Sequence, residues 1–107
     1  RQLVAAGVPV ALATDCNPGS SYTESMPMVI WLAVLKLGLS IEESLTAATL
    51  NAACSLGLGA EVGSVETGKR ADLVLLDAPN LLHLVYHYGI NPVTAVVKAG
   101  RVVRRAI

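Results

Sequence analysis

The sequence predicts an α/β chain: the closing unit of a larger α/β layer, followed by a small β domain. Three observations carry this. An apolar run, Val8 to Ala13, breaks off in a polar loop containing Pro and Gly. Helix-patterned segments follow that loop directly. After Ala60 the texture changes to glycine-rich turns and valine-rich strands. One strand and its following helices cannot close an α/β sheet, so the first part is expected to complete a layer supplied from elsewhere.

The elements follow in order. VPVALA, Val8 to Ala13, is uncharged and short, as expected of a buried strand in a parallel sheet covered on both faces. Thr14-Asp15-Cys16-Asn17-Pro18-Gly19-Ser20-Ser21 then stops both strand and helix. A helix is predicted over about Ser25 to Leu37. Pro27 falls in its first turn, where a missing N–H does no harm, and Gly38 ends it. Met28, Trp31, Leu32 and Leu35 share one face and are expected in the core. Ser40 with Glu43 forms a capping-box pattern for a second helix, continued by Leu45, Ala48 and Thr49. Asn51 is a candidate cap for a third, closed near Gly57 or Gly59. Ala47, Ala48, Ala52 and Ala53 permit close helix packing.

Residues 63–70 read as a turn-rich connection and ADLVLLD, Ala71 to Asp77, as a strand. Asn80 to Gly89 fits helix and strand about equally. Val93 to Lys98 and Arg101 to Arg104 flank Ala99-Gly100, a loop of hairpin length whose Gly accepts positive φ. The arginines at 101, 104 and 105 suit a solvated strand edge. Residues 1–60 thus form the first unit and residues 61–107 the second.

Composition excludes several classes of function. Eight basic residues balance eight acidic ones, so no field of one sign can hold nucleic acid or an anionic membrane. Hydrophobic residues make up 53%, which excludes a disordered chain. The apolar stretch from Met26 to Leu35 is about half the ~20 residues a membrane helix needs. Cys16 and Cys54 match no metal spacing and no disulfide framework, so a reduced, cytoplasmic setting is expected. No signal peptide is visible, and the opening Arg1-Gln2-Leu3-Val4 reads as the middle of a longer pattern.

Asp15 is the sharpest chemical feature. It lies at the carboxyl end of an apolar strand, where α/β folds bind ligands. A carboxylate there can ligate a divalent metal and take a proton from an activated water. It can equally cap the loop by accepting backbone N–H bonds. Asn17 to Ser21 offers amide, hydroxyl and successive N–H groups that can hold a carboxylate, or is an ordinary Pro-Gly turn. Cys16 has no basic partner nearby and reads as a small buried residue. His83 and His87 have helical spacing but lack the Glu of the metalloprotease motif, which favours a packed or surface pair.

Ala13-Thr14-Asp15-Cys16-Asn17-Pro18-Gly19-Ser20 resembles the imidazolonepropionases, within the metal-dependent amidohydrolase superfamily. Leu50-Asn51-Ala52-Ala53 with Leu56-Gly57-Leu58, and the stretch Gly63 to Val74, resemble segments shared across that superfamily. The resemblance spans the chain as a C-terminal quarter. It implies a (β/α)₈ TIM barrel of which residues 1–60 are the last strand, active-site loop and helices. Residues 61–107 would be part of a composite β-sandwich. It implies hydrolysis of 4-imidazolone-5-propanoate to N-formimidoyl-L-glutamate in histidine degradation. Asp15 matches the metal-ligating aspartate, with zinc or iron as the metal, and would help to deprotonate the attacking water. Asn17 and Gly19 match positions that hold the product, and Ser20 one that contacts the substrate. A small-molecule substrate, a homodimer of the full-length enzyme and the N-terminal portion of the same enzyme are the implied partners.

The superfamily's metal site also needs histidines on earlier strands, and this chain has none at matching positions. One aspartate does not hold a catalytic zinc, so the chain alone is expected to be inactive. A deaminase or a dihydroorotase-like cyclic amidase on the same scaffold is the alternative within the superfamily. A non-enzymatic module packing on a partner through apolar helices is the alternative outside it.

Overall fold

The computed structural model describes residues 1–105. The elements in chain order are α1 (Gln2–Ala5), α2 (Met26–Leu35), α3 (Ile41–Ala48), α4 (Leu50–Ser55), β1 (Leu73–Leu76), α5 (Leu82–Tyr86), β2 (Val93–Lys98) and β3 (Arg101–Arg105). Residues 106 and 107, at the end of the second predicted unit, lie outside the described residues.

The helix ends follow local chemistry. Ser25 caps α2 by accepting the Met28 N–H, with Pro27 in the first turn. Ser40 and Glu43 form the full capping box of α3: the Ser hydroxyl accepts the Glu43 N–H at 3.1 Å and the Glu carboxylate accepts the Ser40 N–H at 2.7 Å. The Ser40 N–H, and secondarily Arg1, holds the Glu43 carboxyl below its ordinary pKa. Gly38 and Gly57 take the positive φ that follows α2 and α4.

Three expectations change here. Val8 to Ala13 has no helical turn and belongs to no strand ladder among the described residues. A parallel strand exists only beside a neighbour, and none of the described strands flanks this run. Helices hold it instead: the Leu12 N–H donates to the Ala47 carbonyl at 3.0 Å, and the Asn51 amide donates to the Val10 carbonyl at 2.9 Å. Asn51 is therefore a tether inside α4, whose N-cap is Thr49. The face with Met28, Trp31, Leu32 and Leu35 is not the buried one either. α2 buries Ile30 and Ala33, while Leu32 and Leu35 are exposed. With no charged residue in MPMVIWLAVL, this helix is apolar all round, the pattern of one covered on every side.

Small residues set the helix packing. Ala33, Ser44, Ala47 and Ala53 are buried among α2, α3 and α4. The Ser44 hydroxyl, wholly buried, donates to the Ser40 carbonyl at 2.8 Å. Within Asn80 to Gly89 the centre is the short helix α5, with turns on both sides, and Asn80 Oδ1 accepts the His83 N–H at 3.1 Å at its start. α5 buries Leu84 and Val85 and packs on α2. Tyr88, just beyond it, stacks on Trp31 with ring centroids 4.6 Å apart.

The sheet is antiparallel with order β1-β2-β3. Leu73 pairs with Val97 and Lys98 with Arg101, with an irregularity in each pairing. The predicted hairpin is present, and both Ala99 (φ 49°) and Gly100 (φ 78°) adopt positive φ, as a type I′ turn requires. Alanine seldom adopts that conformation. Asp72 supports it: Oδ1 accepts the Ala99 N–H at 2.8 Å, and Oδ2 accepts Lys98 Nζ at 2.5 Å and Arg70 Nε at 3.1 Å. The Gly100 N–H donates to the Ala71 carbonyl at 2.9 Å. β3 is an edge strand exposed along its length, arginines included, as expected.

Two predictions follow from these contacts. A Cβ on Gly63, at φ 96°, would lie 2.7 Å from Ala53 Cβ and 3.0 Å from Leu50 Cα. Gly63→Ala is expected to destabilise the protein by about 2–4 kcal/mol, combining backbone strain and overpacking. An unshifted denaturant midpoint would refute this. The second concerns acid. Lys98 above all, then the Ala99 N–H, lowers the Asp72 carboxyl from 3.8 to about 2. Its contribution is complete above the unfolded value and is lost as pH falls through the folded one. Hydrogen-exchange protection at Ala99 is therefore expected to fall between pH 3.8 and about 2, and to show no such step in Asp72→Asn. Protection that stays flat over that range in the unmodified protein would remove the Asp72 contact from the account.

Candidate functional site

The extended run delivers the chain to a loop that closes on itself. Asp15 stands at its head with φ 50°, a left-handed conformation that Asp tolerates better than most residues. The Asn17 N–H donates to the Ser21 carbonyl at 2.8 Å, which joins the two sides of the loop. The Ser21 hydroxyl donates to the Thr14 carbonyl at 2.8 Å. Tyr22 folds its phenol back so that the O–H donates to the Pro18 carbonyl at 2.9 Å.

Asn17 organises the interior of the turn. Its Oδ1 accepts the N–H groups of Gly19 and Ser20, each at 2.8 Å, and its Nδ2 donates to the Asp15 carbonyl. This is an Asx-type turn, with side-chain amide replacing backbone. A Cβ on Gly19 would sit 3.2 Å from Asn17 Oδ1, so glycine leaves room for that oxygen. Asp15, Asn17, Gly19 and Ser20 therefore sit together on one short loop. The two N–H groups that the sequence offers to a ligand carboxylate are engaged by Asn17. A ligand reaching them must share them with Asn17 Oδ1 or displace it.

The Asp15 carboxylate is exposed and accepts no hydrogen bond among the described residues. Both oxygens are thus available to an incoming cation or proton, as a metal-ligand role requires. No group of three or more His, Cys, Asp or Glu that could hold a metal occurs among the described residues. His83 and His87 pack edge to face with centroids 5.3 Å apart, as a packed pair would.

Cys16 corrects the sequence reading. It is exposed, not buried, with its N–H toward Thr14 Oγ1 at 3.4 Å. Two residues that shape the structure carried little sequence signal. Asn51 reads as a cap because Asn is uncommon inside helices; its interior position was itself the clue to a partner elsewhere. Asp72 reads as a strand-flanking charge, and its hairpin partners are 26 and 27 residues away.

The chain that carries this loop has relatives of known sequence and structure. The amidohydrolase family profile matches residues 1–103. An imidazolonepropionase of Geobacillus sp. (strain WCH70) is 53% identical over 103 residues, covering 96% of this chain and 24% of that protein. One from Syntrophobacter fumaroxidans is 54% identical over 105 residues, covering 98% and 25%. Among solved structures, an amidohydrolase from Thermotoga maritima aligns with TM-score 0.79 at 31% identity, over 98% of this chain and 25% of that one. An adenosine deaminase from Xanthomonas campestris with bound zinc aligns with TM-score 0.76 at 33% identity, over 94% and 26%. The chain therefore spans about a quarter of the length of the relatives it matches. The match runs from the first residue into the last strand, well over half of the chain, and the chain belongs to the amidohydrolase family.

Proposed function

We propose that this chain is the C-terminal portion of an enzyme that opens the ring of 4-imidazolone-5-propanoate to N-formimidoyl-L-glutamate. The observation that carries the reading is identity of 53–54% to curated imidazolonepropionases over nearly the whole chain, active-site loop included. The deaminase likeness is weaker, at 33% identity, and marks the shared scaffold. In this reading residues 1–60 close the barrel and residues 61–107 belong to the composite β-sandwich. The exposed Leu32, Leu35, Val74 and Leu75 suit surfaces covered by the rest of such an enzyme. No helix among the described residues is long and apolar enough to cross a membrane. The full-length enzyme would be a homodimer, as its family resemblance implies.

Asp15 would be one ligand of a divalent zinc or iron, the others coming from outside this chain. When bound, the metal supplies a Lewis acid that makes water nucleophilic near neutral pH. Asp15 takes the proton from the attacking water as its oxygen adds to the ring carbonyl carbon. The ring C–N bond then breaks, and the proton returns from Asp15 to the departing nitrogen. Asn17 and Gly19 hold the formimidoyl-glutamate product, and Ser20 contacts the imidazolone. The Asn17–Ser20 turn carries no charge of its own, and the ligand's carboxylates would be met by its amide and hydroxyl dipoles and by the N–H groups of Gly19 and Ser20 once these are shared with or released from Asn17 Oδ1.

Asp15→Asn tests the assignment in the full-length protein. Asn also tolerates positive φ, so the backbone is expected to stand while the charge and the basic oxygen are lost. Turnover of 4-imidazolone-5-propanoate should fall by about 10²–10⁴-fold and bound metal should drop. Unchanged rate and metal content would remove Asp15 from the site. The 107-residue chain by itself, with a single ligand, is expected to show no turnover. Stoichiometric metal and hydrolysis by the chain alone would overturn that.

A further inference from the structure

We propose that Ser21 is a positioning residue: its hydroxyl fixes the backbone before Asp15 and so aims the Asp15 carboxylate. The proposal rests on Asp15 as metal ligand and base. The Asp15 carboxylate accepts no hydrogen bond among the described residues, so the direction in which its side chain leaves the loop is set by the backbone and not by a side-chain partner. The Asp15 backbone is at φ 50°, a conformation that must be held from both sides.

The two sides are held by different residues. After Asp15, the carbonyl accepts Asn17 Nδ2. Before it, the Thr14 carbonyl accepts the Ser21 hydroxyl at 2.8 Å, a half-buried contact spanning seven residues. Ser21 also accepts the Asn17 N–H through its own carbonyl, at 2.8 Å, so its backbone is anchored independently of its side chain. Removing the hydroxyl frees the Thr14 carbonyl and leaves the rest of the loop closed. The Asn17 bonds to Gly19 and Ser20, which shape the substrate-facing turn, do not involve Ser21. The Ser21 hydroxyl therefore bears on the backbone before Asp15 and not on the Asn17 turn, which meets Ser21 only through its carbonyl. Outer residues that orient a metal ligand typically change metal affinity or activity by about 10–100-fold, and a small displacement of a reacting group has comparable cost.

The test uses the full-length protein with the metal that co-purifies. Ser21→Ala is expected to speed metal loss to a chelator by about 10–100-fold and to lower kcat similarly, with KM little changed. Ser21→Thr keeps the hydroxyl and should restore both. Wild-type metal retention and kcat in Ser21→Ala would overturn the proposal, as would a loss in Ser21→Thr equal to that in Ser21→Ala. If Ser21→Ala fails to fold, Ser21→Cys takes its place, with a weaker donor of similar size. Its metal loss should then exceed that of wild type, and wild-type retention would refute the role. Asp15→Asn run in parallel separates the two failures. Metal lost there but kept in Ser21→Ala sinks the Ser21 role alone. Metal kept in Asp15→Asn removes Asp15 as a ligand, and Ser21 with it. If the wild-type protein does not open the imidazolone ring, metal retention alone still decides the Ser21 question.

Discussion

The whole N-terminal half depends on how an extended run without a neighbouring strand is held in place. Val8 to Ala13 carries backbone groups that a sheet would pair. Here the Val10 carbonyl takes the Asn51 amide and the Leu12 N–H finds the Ala47 carbonyl. These bonds bind the run to α3 and α4 and set where the chain emerges into the Asp15 loop. The small residues Ser44, Ala47 and Ala53 then matter beyond their own burial. They let the helices pack closely around the run, and the site inherits its position from that packing.

The C-terminal part has its own anchor. A three-stranded sheet exposed at both edges gains little from burial, and β3 is open to solvent throughout. Asp72 compensates locally by gathering the Ala99 N–H, Lys98 and Arg70 on one carboxylate. It holds a turn in which an alanine has adopted a glycine-like conformation. The two carboxylates stand in opposite surroundings. Asp72 is saturated with donors and structural, whereas Asp15 accepts none among the described residues. Residue type alone does not separate these cases; the donors around each carboxylate do.

Much of this was legible in the residues. Ser40 with Glu43 announced a helix start, because a capping box is a local hydrogen-bond exchange within four residues. Ala99-Gly100 between valine runs announced the hairpin for the same reason. The loop residues Asp15, Asn17, Gly19 and Ser20 were picked out together, and they do lie together. What failed did so where the deciding contacts are tertiary. The face of α2 with Leu32 and Leu35 was expected inside, but α2 is apolar on all sides and periodicity cannot rank its faces. Cys16 was expected buried by residue type, but the loop turns it outward.

Determined by the sequence itself were the helix caps, the turn positions, the hairpin and the chemistry gathered after Val8 to Ala13, since each arises from neighbours along the chain. The tertiary structure decided which helix face is buried, that Asn51 tethers Val10 across 41 residues, and that Asp72 reaches the hairpin turn. It also decided that Asn17 engages the N–H groups of Gly19 and Ser20 while the Asp15 carboxylate accepts no bond among the described residues. These are contacts between groups that propensity and spacing treat separately, and only the folded path of the chain brings them within hydrogen-bond distance.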